Sequence, residues 1–378
     1  MAEPAVESAA REVRAIWITR WDYKTEADVR QAVKSCAALG LNRIFFQVRG
    51  RADAFYRSKL EPWGEEIGGK DPGFDPLLAA IDESRKRGVE LHAWVNVLPA
   101  WKGSASPLDP RHVLHLHPEW FLTDNRGKRH LKSKADYTIL NPCLPEVRSY
   151  LTSVVEDIAS RYAVQGVQLD YIRFLGRNKR AGEDFPYDAT TLRLFKKYSG
   201  ESPERAPAQW DRWRQMCVDT LLYRISEAVR KARPGCQVSV AAIQDYERAR
   251  QDLFQDVVKW QSRGWIDEVY PMTYDRDGSM FSFRAKMALS QGIAGKVFPG
   301  IGVHLLPSAQ EIARQIHAAR ALGAPGYCLF AFASFFPSPS HESKDDSDSR
   351  RLRSELRQAL LSLNGALETG ELRTENKK

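Results

Sequence analysis

Short apolar runs alternate with longer amphipathic runs along nearly the whole chain, as in proteins whose strands are each followed by a helix. The apolar runs predict eight strands: Val13–Thr19, Asn42–Val48, Val89–Val97, Gly166–Ile172, Gln237–Ala242, Ile266–Tyr274, Lys296–Ile301 and Gly326–Ala333. Apolar residues spaced three to four positions apart predict seven helices between them: Glu26–Leu39, Asp75–Arg87, Pro145–Tyr162, Asp211–Ala232, Asp252–Arg263, Ser279–Gln291 and Ser308–Leu322.

This alternation indicates an α/β fold, specifically a (β/α)8 TIM barrel with long strand-to-helix loops. A charged run near Arg350–Leu363 predicts an extra C-terminal helix. We expect the barrel to occupy residues 12–335, and a linker, this helix and a polar tail to occupy residues 336–378. A doubly wound open sheet is the alternative, but Thr19–Tyr23 stands where that fold carries a glycine-rich phosphate turn.

The strand-to-helix connections carry most of the extra length, notably Arg49–Phe74, Leu98–Leu144 and Phe174–Trp210. In a barrel these connections gather at the carboxyl ends of the strands, where active sites are built. They are rich in aromatic residues, which favours a saccharide-binding cleft because the C–H faces of sugar rings stack on aromatic planes. These residues are Trp21, Tyr23, Tyr56, Trp63, Trp101, Trp120, Phe121, Tyr137 and Tyr187.

The predicted strand Gly166–Ile172 carries a single carboxylate, Asp170, close to its carboxyl end. A lone Asp in a buried parallel strand costs free energy unless it is paired or used. We therefore expect Asp170 to act in an active site at the carboxyl edge of the barrel. The structural alternative is a buried salt bridge to Arg173 or another arginine.

Composition and charge exclude several classes of function. No run approaches the ~18 to 20 apolar residues that span a bilayer, so we expect no integral membrane segment. The net charge of +8 is scattered, and the dense basic run Arg126–Lys134 lacks a recognition motif, so no nucleic-acid partner is expected. The five cysteines lie far apart and are predicted to be buried apolar residues. No HExxH, Asp-rich calcium loop or His cluster stands in the sequence, so neither a metal nor another cofactor is expected.

Seven motifs follow one another between Glu12 and Ala333: Arg14–Thr19, Gln47–Ser58, Asp75–Leu78, Ala93–Asn96, Asn141–Pro142, Gly166–Arg173 and Ile266–Tyr274. In this order they resemble the glycosyl hydrolase-like 10 family over nearly the whole chain. The resemblance implies a glycoside-hydrolase-type TIM barrel, and some bacterial members look like cell-wall enzymes that cleave peptidoglycan glycan strands. The Gly-x-Gln-x-Asp pattern of residues 166–170 also resembles the fourth-strand motif of α-amylase-type hydrolases, which implies a nucleophilic role for Asp170.

Glycoside hydrolysis normally needs two carboxyl groups that flank the cleaved bond. Asp170 is the first, and Asp245 and Glu247, after the fifth strand, are our candidates for the second. Glu268 lies near the start of the sixth strand and is expected low in the barrel beside an arginine. Asp267 has the opposite parity and is expected to cap or pair on the outside.

The substrate-binding residues are predicted from strand parity, from position and from the family motifs. Trp94 is expected to stack on a sugar and Asn96 to contact a hydroxyl, whereas Arg49 and Arg173 are expected to hold Asp170 ionised or to bind an acidic group. His304 is a candidate for the cleft rim, and His92 is expected to be a core residue. The full predicted set is Arg49, Asp53, Tyr56, Trp63, Trp94, Asn96, Trp101, Gln168, Arg173, Tyr270 and Tyr274.

The sequence thus predicts a glycoside hydrolase that acts on a bacterial polysaccharide or oligosaccharide, with peptidoglycan glycan strands as the candidate substrate. The alternative is a carbohydrate-binding barrel without catalytic activity, because fold alone does not guarantee chemistry. The acidic start, Met1–Ala10, is not a signal peptide and is compatible with the removal of an export signal. We expect a periplasmic, secreted or cell-surface location, with the cytoplasm as the alternative. The oligomeric state stays open.

Overall fold

The computed structural model describes residues 12–175, 182–339 and 346–365. Its helices and strands follow one another in the order β1 (Val13–Ile18), α1 (Glu26–Ala38), β2 (Arg43–Arg49), α2 (Pro76–Arg87), β3 (Glu90–Asn96), β4 (Pro99–Gly103), α3 (Val113–Leu116), β5 (Ser133–Ile139), α4 (Pro145–Arg161), β6 (Gly166–Asp170), α5 (Ala189–Ser199), α6 (Pro207–Ala232), β7 (Gln237–Ala242), α7 (Tyr246–Leu253), α8 (Val257–Ser262), β8 (Glu268–Pro271), α9 (Gly278–Gln291), β9 (Gly300–Gly302), α10 (Ala309–Ala321), β10 (Gly326–Phe330) and α11 (Ser347–Asn364).

Eight parallel strands form one sheet in the order β8-β7-β6-β3-β2-β1-β10-β9. The two outer strands approach each other through a parallel bridge between Val269 and Val297. There the amide of Val269 donates to the carbonyl of Lys296 at 2.9 Å, and the amide of Phe298 donates to the carbonyl of Val269 at 2.9 Å. The predicted (β/α)8 barrel is therefore confirmed, and all eight predicted strands take part in it.

In the described parts of the chain, three short helices and one antiparallel pair of strands were not predicted from the sequence. The helices α3, α5 and α7 and the antiparallel pair β4–β5 all lie in strand-to-helix connections. They bury few residues, such as Thr191 and Phe195 on α5, so their apolar periodicity is too short to stand out from the surrounding loop.

The barrel wall separates two apolar clusters because successive side chains of a strand point to opposite faces. The cluster inside the barrel, which we call the lumen cluster, consists of Ala15, Trp17, Phe45, Trp94, Tyr270, Phe298, Cys328 and Ala331. The much larger outer cluster fills the space between strands and helices and includes Leu356, Leu360 and Leu361 of α11. The predicted C-terminal helix is therefore part of the helical layer.

In the lower part of the lumen, three polar side chains bond to one another. Arg43 donates to Glu268 at 2.6 Å and to the hydroxyl of Tyr270 at 2.7 Å, and that hydroxyl donates to Glu268 at 2.8 Å. Asp267 points outwards, where it accepts from the amide of Val238 at 2.7 Å. Glu268 therefore faces the lumen beside an arginine and Asp267 faces outwards, as predicted from the alternation of side chains along the strand.

The burial of individual side chains tests further expectations from the sequence. All five cysteines are buried and free. His92 is fully buried and lies in the core, but neither ring nitrogen has a hydrogen-bond partner in the described parts of the chain. None of the described helices combines the length and apolar character that crossing a membrane requires.

Candidate active site

Asp170 is the last residue of β6 and lies at the carboxyl edge of the barrel. It is 5% exposed, and Asn96, the last residue of β3, stands beside it in the sheet register. β6 approaches β3 closely at its start, because a Cβ added to Gly166 would lie 2.3 Å from the ring of His92. Glycine at this position therefore permits the contact between the two strands that carry the site.

Both carboxylate oxygens of Asp170 accept hydrogen bonds. The amide of Tyr171 donates to Oδ1 at 2.7 Å, and Nε1 of Trp94 donates to Oδ2 at 3.3 Å. Burial raises the pKa of Asp170 to about 6, although the charge of Arg173 and these two donors act in the opposite direction. Asp170 is therefore mostly ionised at neutral pH, in an orientation fixed by two N–H groups.

The backbone next to Asp170 is strained. Tyr171 has a φ of 51°, in the left-handed region that aromatic residues rarely adopt. Among the described residues, two other non-glycine residues share this feature, Ala52 and Phe254, and both also lie in strand-to-helix connections. Strain of this kind collects at functional sites, where the surrounding structure holds it in place.

Arg173 lies close to Asp170 and is 9% exposed. Its guanidinium carbon stands 4.7 Å from the centroid of the Tyr171 ring, and NH1 donates to the carbonyl of Phe174 at 3.4 Å. Burial lowers the pKa of Arg173, while the negative charge of Asp170 works against this shift. The predicted proximity of this cation to Asp170 is thus present.

Three buried polar atoms around Asp170 have no hydrogen-bond partner within the described residues: Oδ1 of Asn96, Nε2 of Gln168 and Nε of Arg173. The other amide atoms are occupied, since Asn96 Nδ2 donates to the carbonyl of Gly50 at 3.2 Å and Gln168 Oε1 accepts from Trp17. Buried groups without partners cost free energy, and a ligand that supplies donors and acceptors recovers it.

An aromatic wall stands opposite these polar groups. The half-buried ring of Tyr274 stacks on Phe330, with centroids 5.4 Å apart, and meets the ring of His304 edge-on at 6.0 Å. Burial raises the pKa of the Tyr274 hydroxyl, and the charge of nearby Asp170 adds to the rise. Exposed His304 therefore lies at the rim, as its sequence position suggested.

The two candidates for a second carboxylate lie at the start of the short helix α7, where each has a partner of its own. Asp245 is exposed and caps this helix by accepting from the amide of Arg248 at 3.0 Å. Glu247 is exposed and forms an ion pair with Arg250 at 2.7 Å. Within the described parts of the chain, burial, Arg173, the Tyr171 amide and Trp94 account for the pKa of Asp170, and none of these is a carboxylate.

The family-motif residues at the end of β2 and after it hold their own loop. Fully buried Arg49 forms an ion pair with Glu61 at 2.8 Å and donates to the carbonyl of Val97 at 2.9 Å, so it does not act on Asp170 as predicted. Asp53 accepts from the amides of Gly50 and Arg51 at 3.2 and 2.7 Å. Burial alone would raise the pKa of Asp53, but Arg20, Arg51 and these hydrogen bonds lower it. Asp53 therefore helps to close its own loop.

Several predicted sugar-binding aromatics are buried instead. Trp94 and Tyr270 belong to the lumen cluster, and Tyr270 is bound to Arg43 and Glu268 below the site. Tyr56 is fully buried against Tyr162. Trp101 is 4% exposed, and its Nε1 donates to the carbonyl of Ala105 at 2.8 Å. Half-buried Trp63 packs on the outer cluster.

Other residues near the site were not among the predicted binding residues. Buried Arg20, the second residue after β1, forms an ion pair with Glu66 at 2.8 Å and donates to the hydroxyl of Tyr137 at 3.3 Å. The Tyr137 ring meets the Tyr171 ring with centroids 5.4 Å apart. Tyr171 follows the strand-end carboxylate directly, which is the signal that would have identified it.

One group in the described residues has the composition of a metal site. Ligand atoms of Asp124, His130 and Glu183 lie within 4.8 Å of one another. Asp124 Oδ2 is 3.1 Å from Nε2 of His130, and Oδ1 accepts from the amide of Lys128 at 2.8 Å. These hydrogen bonds already satisfy the carboxylate, and none of the groups contacts Asp170, so no step of the chemistry passes through them.

Comparison with known proteins gives a family and several relatives. The family model of glycosyl hydrolase-like 10 matches residues 12–316. Glycosyl hydrolase DigH of Escherichia coli (strain K12) is 28% identical over 264 residues, which cover 62% of this chain and 55% of that protein. Glycosyl hydrolase YngK of Bacillus subtilis (strain 168) is 26% identical over 296 residues, which cover 70% and 54%. The chain thus spans about half the length of these relatives.

Solved structures share the fold. The glycoside hydrolase domain of PgaB (BpsB) from Bordetella bronchiseptica has a TM-score of 0.65 at 15% identity, covering 92% of this chain and 99% of that one. Alpha-L-fucosidase isoenzyme 2 from Paenibacillus thiaminolyticus has a TM-score of 0.64 at 15% identity, covering 94% and 50%. At these identities the likeness concerns the barrel alone.

Proposed function

Because the chain belongs to the glycosyl hydrolase-like 10 family, we propose that it is a glycoside hydrolase that cleaves O-glycosyl bonds of a bacterial polysaccharide. The observation that carries this proposal is the buried Asp170 carboxylate, held by two N–H donors at the carboxyl edge of the barrel. A carboxylate that accepts on both oxygens is poised as an ionised group. It is therefore suited to be a nucleophile or a base, whereas a proton donor would need a free acidic hydrogen.

Asp170 has one of two roles in this proposal. As a nucleophile, its oxygen attacks the anomeric carbon, the bond to the leaving oxygen breaks, and water later hydrolyses the glycosyl-enzyme ester. As a base, it takes a proton from the water that attacks the same carbon. In both cases the leaving oxygen gains a proton from a second acid.

The surroundings of Asp170 favour a sugar as ligand. A sugar hydroxyl both donates and accepts, so it suits the unpartnered Oδ1 of Asn96, Nε2 of Gln168 and Nε of Arg173 equally. The aromatic wall of Tyr274 and Phe330 offers a plane to the C–H face of a ring.

The substrate that we propose is the glycan strand of peptidoglycan. Two relatives bear the name glycosyl hydrolase, and the net charge of +8 suits an acidic cell-wall polymer. On this proposal the enzyme works outside the cytoplasm, where such strands lie.

The decisive experiment incubates the purified protein with cell-wall glycans, with and without stem peptides, and analyses the released fragments by mass spectrometry. Cleavage by the wild type and none by Asp170→Asn is the expected result. The anomeric configuration of the first product separates the two roles, because a nucleophile gives retention and a base gives inversion. If Asp170→Asn cleaves the glycans as the wild type does, the catalytic role of Asp170 is refuted.

One observation favours a second candidate, a carbohydrate-binding barrel without catalytic activity. Asp245 and Glu247, the predicted partners of Asp170, bond to the amide of Arg248 and to Arg250, and a hydrolase of the usual kind needs two acids. The same incubation decides between the two, since a binding protein retains glycan chains on a column without shortening them.

A further inference from the structure

Trp21 is unusual among the ten tryptophans of the chain, because it is the most exposed at 36%. It lies in the short connection between β1 and α1, at the carboxyl edge of the barrel that also holds Asp170. A single exposed apolar residue needs no explanation by itself. Trp21, however, is fixed from several sides.

The backbone around Trp21 is held by hydrogen bonds. The amide and the hydroxyl of Thr19 donate to Oδ2 of Asp22 at 2.7 and 2.8 Å, which closes the turn that carries Trp21. The hydroxyl of Ser338, which is 1% exposed, donates to the carbonyl of Trp21 at 2.8 Å. The indole is therefore presented on a fixed turn.

One face of the indole is covered from within the protein. The guanidinium carbon of Arg20 lies 3.8 Å from the ring centroid of Trp21, and Arg20 is only 1% exposed. Arg20 fits there because residue 50 is glycine: a Cβ at Gly50 would lie 2.7 Å from the Arg20 side chain. Since the buried cation occupies the inner face, the exposed area of Trp21 belongs to its outer face.

A continuous set of contacts joins this platform to the catalytic carboxylate. Arg20 donates to the hydroxyl of Tyr137 at 3.3 Å, the Tyr137 ring meets the Tyr171 ring at 5.4 Å, and Tyr171 follows Asp170. Trp21 is therefore linked to Asp170 through the buried side chain of Arg20 and the half-buried rings of Tyr137 and Tyr171, at the same edge of the barrel.

We propose that the outer face of Trp21 is a sugar-binding subsite for a glycan unit remote from the cleaved bond. The proposal rests on the hydrolase function proposed above. The ligand class is a chain of pyranose rings with equatorial substituents, whose unbroken C–H face lies flat on an indole. Arg20 positions the ring, and Trp21 binds the chain.

The test compares Trp21→Ala, Trp21→Phe and the matched control Phe283→Ala with the wild type on glycan fragments of increasing length. Phe283 is 60% exposed on the outer helix α9, so its loss removes an exposed ring away from the site. For Trp21→Ala we expect roughly five- to thirty-fold lower kcat/KM on long chains and an unchanged value on the shortest cleaved fragment. Trp21→Phe should recover part of the loss, and the control should match the wild type on every length.

Equal losses on all lengths, or no loss on long chains, would overturn the subsite. Binding of long fragments to Asp170→Asn, with and without Trp21→Ala, is measured in parallel by calorimetry. If the wild type cleaves no glycan, the proposed hydrolase function fails, and the binding data alone decide on Trp21. Weaker binding after Trp21→Ala would then still support the subsite, and unchanged binding would refute it.

Discussion

Replacing Asp170 with Asn tests the centre of the proposed mechanism. The amide keeps the volume of the carboxyl group but can neither attack an anomeric carbon nor accept a proton from water. We expect kcat/KM on glycan to fall by roughly three or more orders of magnitude at every pH. Retention of more than about a tenth of the activity would remove Asp170 from the catalytic machinery.

The pH dependence of the wild type supplies an independent measure of the same group. With the pKa of Asp170 at about 6, the ionised fraction falls about tenfold between pH 7 and pH 5. Since the proposed role needs the ionised form, kcat/KM should fall by about the same factor as the pH is lowered. A profile that is flat over this range, or that rises towards pH 5, would contradict the reasoning.

Stability should move in the opposite direction to activity. The folded-state pKa of Asp170 is raised, so its contribution to stability is fully present below the unfolded value near 4 and is lost as the pH rises through about 6. The shift of about two units corresponds to about 3 kcal/mol at pH 7. Asn avoids this cost but turns an NH2 group towards one of the two N–H donors, which costs about 1 to 3 kcal/mol. We therefore expect the Tm of Asp170→Asn at pH 7 to equal or exceed that of the wild type, and a clear decrease would show that the carboxylate is a structural requirement.

Three further substitutions test separate parts of the argument. Trp94→Phe removes the donor to Oδ2 of Asp170, so the acidic limb of the pH profile should shift upwards, and an unmoved limb would refute that contact. Arg49→Met leaves Glu61 buried and unpaired, which should cost about 3 to 5 kcal/mol in urea unfolding and be partly restored by adding Glu61→Gln. Glu247→Gln should change kcat/KM by less than about twofold relative to the wild type, because Glu247 forms only an exposed ion pair. A large loss would show that Glu247 is a catalytic residue.

The sequence by itself determined the barrel and the place of its principal carboxylate. Strand and helix periods are local properties, so eight apolar runs and their intervening helices are visible in the residue order. Parity along a strand is equally local. For that reason the positions of Asp170, Glu268 and Asp267 followed from counting residues.

Only the tertiary structure decided which polar and aromatic residues face the cleft. Arg49 ends β2 and Trp101 lies on β4 within a long connection, and the residue pattern around them does not specify that Glu61 and the carbonyl of Ala105 occupy them. The exposure of Trp21 and the burial of the other loop tryptophans likewise depend on contacts between distant segments, such as Arg20 beneath the indole and Ser338 at its carbonyl. Burial and partner choice are set by packing across the whole barrel, and the order of residues within one connection does not contain that information.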